Sequence, residues 1–283
     1  MTTELSRRAI VPLLAAGAVG ALAGCATLRP GVLTQGARDV PYGRHPRQRM
    51  DVYVPQGGGA ASPVVFFIYG GAWASGAKET YAFVGEAFSE RGFVTVIADY
   101  RLVPEVRFPS FIEDGARALR FVHDTISRYG GTPQRIELVG HSAGAYDAMM
   151  LTLDRRYLAA VGLGSGTIRS AVGLSGPYDF PLNLDITKAA FGNARDPAQT
   201  QPISFARRDA PPIFLATGSD DTTVPPRNSK RLADALKQAG AKSVALKIYP
   251  GLGHAETVTA ISAPLRWRAP VLDDVVAFIS ARG

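Results

Sequence analysis

Cysteine is almost missing from this chain: Cys25 is the only one in 283 residues, so no disulfide can form within it. Histidine is nearly as scarce, with four, and any chemistry that needs an imidazole can be assigned by elimination. No internal repeat at solenoid spacing is present, which sets aside repeat architectures. The net charge is +7, yet there is no long basic run with interleaved aromatics. The bases are scattered, with clusters at Arg44, Arg47 and Arg49 and at Arg266 and Arg268. That pattern does not indicate a nucleic-acid partner. With 46% hydrophobic and 19% charged residues and regular Gly/Pro punctuation, the chain is not of the disordered type and suits one large globular domain.

The apolar run over residues 9–23 is too short and too rich in small residues for a comfortable membrane span. It follows Arg7 and Arg8 and reads as a signal peptide over residues 1–24. Arg7-Arg8 fits either a twin-arginine export signal or an ordinary basic leader. The run ends Leu22-Ala23-Gly24-Cys25, which resembles the bacterial lipobox. That resemblance implies lipidation of Cys25, a membrane partner through that anchor, and residence in the bacterial cell envelope. Residues 25–36 then form a linker and residues 37–283 a single domain.

Strand and helix signals alternate through that domain. Alternating segments at 37–42 and 50–54 read as an antiparallel pair. Apolar runs at 63–69, 93–98 and 135–139 suit strands buried on both faces, and further strands are expected at 170–175, 212–217 and 244–249. Helices are expected over 80–91, 109–129, 143–153, 226–238 and 265–280. The stripe Ile112, Ala116, Leu119, Val122 and Ile126 marks the second of these, closed by Gly130-Gly131. The fold class is therefore α/β: a mostly parallel sheet with helices on both faces. The stretch at about 180–208 breaks the alternation and is expected to be a short cap insertion.

In such sheets, active sites lie beyond the carboxyl ends of the strands, and the chemically suggestive residues fall there. Ser142 sits in Gly140-His141-Ser142-Ala143-Gly144, between a strand and a helix. This is the nucleophile-elbow pattern, in which a sharp turn holds the serine hydroxyl out above the sheet. A serine needs a base to become nucleophilic. Of the four histidines, His45 lies in a polar loop, His123 lies inside a helix, and His141 is directed elsewhere by the elbow. His254, in the Gly-rich turn after the last strand, remains. The base in turn needs a carboxylate to fix its tautomer. Asp221 is favoured for this over its neighbour Asp220, in the turn after the 212–217 strand. Paired glycines Gly70-Gly71 follow the first central strand and allow amides to point at an oxyanion, with Ala143 a further donor.

The segments IYGGAW, DYRLVPEVRFPSFIED, RYGGTPQRIELVGHSAGA, LSGPYD, GSDDTTVP and GLGH span roughly 64–254. In them the chain resembles α/β-hydrolase-fold carboxylesterases related to hormone-sensitive lipase and feruloyl-esterase-like enzymes. The resemblance implies oxyanion donors at Gly71, Ala72 and Ala143, with Gly70 giving close approach. Tyr69 and Ala72 stand where that family has a histidine and a third glycine, and Tyr69 is expected to shape the loop and substrate preference. The expected activity is hydrolysis of small carboxylic esters with short or slim acyl groups by Ser142, His254 and Asp221. No cofactor or metal is implied. The alternatives are an amide hydrolase of the formamidase or acylaminopeptidase type and a non-catalytic envelope binding lipoprotein.

Overall fold

Eight strands form one sheet in the order β1-β2-β4-β3-β5-β6-β7-β8. They run β1 Ala37–Pro41, β2 Arg49–Tyr53, β3 Ser62–Ile68, β4 Val94–Ala98, β5 Gly131–His141, β6 Ile168–Leu174, β7 Ile213–Gly218 and β8 Val244–Tyr249. Only β2 runs against its neighbours: it pairs antiparallel with β1 and β4, and every other pairing is parallel. This computed structural model describes residues 36–57 and 61–281. The signal-peptide reading, Cys25 and nearly all of the linker lie outside the described residues.

The central strands read as continuous apolar runs because both of their faces are covered. Val64 to Phe67 and Ile136, Leu138 and Val139 are wholly buried. Among the described residues the α-helices are α1 Ala82–Ser89, α2 Ser110–Thr125, α3 Ala143–Leu153, α4 Arg155–Ala160, α5 Asp185–Phe191, α6 Arg227–Gln238, α7 Glu256–Thr259 and α8 Val271–Ser280. One layer pairs α1 with α8, whose Phe278 stacks on Phe214 of β7. Helices α2, α3, α4 and α6 form the other layer. The α2 stripe of Ile112, Ala116, Leu119 and Val122, with Ile126 in the 3₁₀ turn that follows, is buried as its period requires.

The helix expected over 80–91 is a 3₁₀ turn at Lys78–Tyr81 followed by α1, and two further elements differ from their sequence reading. The helix expected over 265–280 is a 3₁₀ turn at Ala263–Arg268 followed by α8. Pro270 lacks an N–H and its ring crowds the preceding turn, so one helix cannot run through it. Strand β5 begins at Gly131 rather than near 135, because Gly131 pairs with Ser62 across an irregularity in register. The 180–208 stretch holds α5 and 3₁₀ turns at Pro197–Thr200 and Pro202–Phe205.

The parallel strands bring their carboxyl ends to one edge. The turns after β3, β5, β6, β7 and β8 carry Gly70–Trp73, Ser142, Ser175, Asp221 and His254 respectively.

Candidate active site

Ser142 occupies φ 54°, ψ −123° as the cap between β5 and α3. That region is costly for any side chain, by about 1–3 kcal/mol, and such strain clusters at functional sites. Among the described residues six non-glycines have positive φ, and four of them, Ala72, Trp73, Ser142 and Ser175, stand at this edge of the sheet. The glycines of the elbow are needed for close approach. A Cβ on Gly140 would lie 2.2 Å from the Gly144 carbonyl oxygen, and one on Gly144 would lie 2.1 Å from that of Ile68. Helix α3 thus seats its first turn directly on the end of β3.

His254 bridges the other two residues of the constellation. Its Nε2 lies 2.8 Å from Ser142 Oγ and its Nδ1 lies 2.9 Å from Asp221 Oδ2. Asp221 uses its second oxygen to accept the backbone N–H groups of Val224 at 2.8 Å and Thr223 at 3.1 Å. Burial works against the Asp221 carboxylate. The hydrogen bond and charge of His254, with the Val224 amide and the Ser175 side chain, outweigh it and hold its pKa below the usual 3.8. An ionised Asp221 accepting from Nδ1–H leaves Nε2 bare and pointed at the serine proton, the tautomer a general base requires. Asp220 instead accepts from Ser219 Oγ. His45 pairs with Glu105, and His123 sits beside Asp124 on the surface of α2.

His141 is not simply turned away from the site. Its ring centroid lies 5.0 Å from that of His254, and its Nε2 lies 3.1 Å from the His254 carbonyl oxygen. Thr257 Oγ1 donates to that same oxygen at 2.9 Å, and itself meets Ser175 Oγ at 3.0 Å. The His254 backbone is therefore pinned from two sides. Burial first, and the neighbouring His254 charge second, push the His141 pKa down to about 3, so the ring is neutral and donates from Nε2. Sequence reasoning missed this role because it depends on two turns 113 residues apart.

The Gly70–Trp73 loop abuts the serine. A Cβ on Gly70 would fall 2.8 Å from Ser142 Cβ, so only glycine fits there. Gly71 adopts φ 132° and its carbonyl accepts from the amides of Ala74 and Ser75. Among the described residues, no turn or loop hydrogen bond gives an acceptor to the amides of Gly71, Ala72 or Ala143. Ala143 opens α3, and the first amides of a helix have no intrahelical partner and favour negative charge. Tyr69 does not face outward. It is fully buried, its hydroxyl donates to Asp99 Oδ1 at 2.6 Å and accepts from Arg47 at 2.8 Å, and its ring stacks on Tyr81 and Tyr100. It braces the loop from behind.

Beside the loop, Trp73 lies among Phe111, Tyr146, Phe180 and Phe191, at centroid distances of 4.8–6.0 Å. Phe180 and Phe191 come from the 180–208 stretch. Among the described residues no group of His, Cys, Asp and Glu is arranged to hold a metal ion.

A family model, BD-FAE, matches residues 50–236. The probable isoprenylcysteine alpha-carbonyl methylesterase ICMEL1 of Oryza sativa subsp. japonica is 33% identical over 276 residues, covering 87% of this chain and 63% of the relative. Esterase LipC of Mycobacterium tuberculosis is 28% identical, covering 77% of this chain and 59% of its own. The chain thus spans less than two thirds of the length of these curated relatives. Among solved structures, an inhibited esterase B from Lactobacillus rhamnosis superposes with a TM-score of 0.77 at 18% identity, over 87% of this chain and 86% of that one. A Thermogutta terrifontis esterase with butyrate bound gives 0.73 at 21% identity, over 88% and 94%. These likenesses establish the α/β fold of esterase structures.

Proposed function

The chain belongs to the BD-FAE family, and we propose that it hydrolyses carboxylic esters through an acyl-enzyme on Ser142. The observation that carries the reading is His254 standing 2.8 Å from Ser142 Oγ and 2.9 Å from Asp221. Ser142 Oγ attacks the acyl carbon while His254 Nε2 takes its proton. The oxyanion meets the amides of Gly71, Ala72 and Ala143. His254 then gives the proton to the departing alcohol, and a water activated by the same ring releases the acid. Asp221 stabilises the imidazolium formed on the way.

Esters are favoured over amides because the relatives are named as esterases and methylesterases. Short or slim acyl groups are favoured because aromatic rings from the 180–208 stretch fill the space beside the oxyanion loop. A butyrate and a propionate are described as bound in solved neighbours of the same fold. With purified protein, kcat/KM is expected to be highest for p-nitrophenyl acetate to butyrate and to fall at least about tenfold by the decanoate, since uniform acyl contacts are lost once the chain outgrows its slot. Equal turnover of long and short esters contradicts the slim-acyl reading. An N-formyl aryl-amide turned over faster than any ester, methyl esters included, replaces the ester reading with the formamidase one.

In the same reading the protein is exported to the bacterial envelope and held by lipid on Cys25. The basic Arg7-Arg8, the apolar 9–23 run and Leu22-Ala23-Gly24-Cys25 support it. Cys25→Ala is expected to abolish incorporation of labelled palmitate and to release the protein from membranes. Undiminished labelling contradicts the anchor.

A further inference from the structure

Helix α3 carries one charged residue, Asp147, among eleven. The proposed mechanism does not use it. It is 1% exposed, yet among the described residues no arginine or lysine forms an ion pair with it. Its Oδ1 accepts the indole N–H of Trp73 at 3.3 Å, and its Oδ2 has no partner. Burying a carboxyl with one oxygen unsatisfied is costly, and the bond to Trp73 is what the position visibly provides.

Trp73 is the residue that needs holding. It stands at φ 59°, directly after Ala72 at φ 53°. Positive φ on a bulky residue is a true outlier and persists only when its surroundings fix it. The rings of Phe111, Tyr146, Phe180 and Phe191 enclose the indole, but ring contacts restrain sliding poorly compared with a directional hydrogen bond. The Trp73 N–H supplies that direction, and it ends on α3. This is the helix whose first residue is Ala143 and whose cap is Ser142.

We propose that Asp147 is a positioning residue for the oxyanion hole: by accepting the Trp73 N–H it locks the Gly70–Trp73 loop to α3. The amides of Gly71 and Ala72 are thereby held in register with Ser142 and the Ala143 amide. The inference rests on the serine-hydrolase reading above. Burial raises the Asp147 pKa well above the carboxylate range, against the Trp73 hydrogen bond and with the Asp114 charge adding to it. The Trp73 N–H needs only an acceptor oxygen at this position, and an amide of the same shape keeps that oxygen.

The test compares wild type, Asp147→Asn, Asp147→Leu, Trp73→Phe and the Trp73→Phe/Asp147→Leu double variant. Each is measured for kcat and KM on p-nitrophenyl acetate, for inhibition by an alkyl trifluoromethyl ketone, and for thermal unfolding. The ketone forms a tetrahedral adduct with the serine and reads the oxyanion hole. Asp147→Asn is expected to stay within about threefold of wild type. Removing an oxyanion donor costs about 10²–10³, so loosening two is expected to cost roughly 10–100-fold in kcat in Asp147→Leu and in Trp73→Phe. KM should change little, ketone affinity should fall in parallel, and the double variant should be no worse than the singles, as one shared bond requires. Wild-type kcat in a folded Asp147→Leu or Trp73→Phe variant overturns the proposal. So does an Asp147→Asn variant as impaired as Asp147→Leu, or losses that multiply in the double variant. If Asp147→Leu fails to fold, Trp73→Phe and Asp147→Asn decide alone by the same criteria. An active wild type whose Trp73 and Asp147 variants are all unimpaired defeats this inference only, whereas a wild type that turns over no ester and binds no ketone defeats the hydrolase reading with it.

Discussion

Replacing Ser142 with alanine is expected to lower kcat on p-nitrophenyl butyrate by roughly 10⁴–10⁶-fold, the scale seen when the nucleophile of a serine–histidine unit is removed. The argument is geometric. Among the described residues Ser142 is the hydroxyl within hydrogen-bond reach of His254 Nε2, at 2.8 Å, and its strained backbone holds that hydroxyl up whatever the substrate does. Without it, the base has nothing to activate but water. KM should move little, because the loop amides and the aromatic wall are untouched. Stability should change by less than about 1 kcal/mol, since among the described residues the Oγ bonds to His254 alone. A variant that retains more than a few per cent of wild-type kcat is incompatible with Ser142 as the nucleophile.

The second large effect is on stability rather than rate. His141 is buried and its pKa lies at about 3 instead of 6.5. In the unfolded chain it titrates normally, so below pH 6.5 the unfolded state binds one proton that the folded state refuses. The folded-state value is depressed; the stability linked to this ring is therefore fully present above pH 6.5 and drains away as pH falls toward 3. The slope is about 1.4 kcal/mol per pH unit. His141→Gln removes the titration while keeping a side-chain N–H to reach the His254 carbonyl. Urea unfolding at pH 7.5 and 5.0 is expected to show wild type losing about 2 kcal/mol more than the variant between those two pH values. Equal losses would mean that His141 is protonated in the folded protein, and that its bond to His254 is made by a cation.

The sequence made the site legible to an unusual degree, for a physical reason. A parallel sheet brings the carboxyl ends of its strands to one edge, so a Ser, an Asp and a His in the turns after β5, β7 and β8 converge there. Ser142, Asp221 and His254 are brought together in that way. What stayed hidden has no local signature. The elbow alone reads as directing His141 elsewhere, because its partner is a backbone carbonyl from a turn far along the chain. That Tyr69 shapes the loop is expected from the resemblance, but nothing near it in sequence announces Arg47 and Asp99 as its partners. The 265–280 helix was overextended because its apolar period runs through Pro270, and the ring overrides the period. Asp147 did carry a signal, a lone acid in an otherwise apolar helix, but its meaning needed Trp73 placed beside it.

The central claim is that Ser142 is an activated nucleophile, and covalent capture tests it most directly. The purified protein is treated with a fluorophosphonate and its peptides are analysed by mass spectrometry. The expected result is a single adduct on Ser142, formed rapidly in wild type, far more slowly in His254→Ala, and not at all in Ser142→Ala. No adduct on the wild type, or undiminished labelling of Ser142→Ala, would contradict the account.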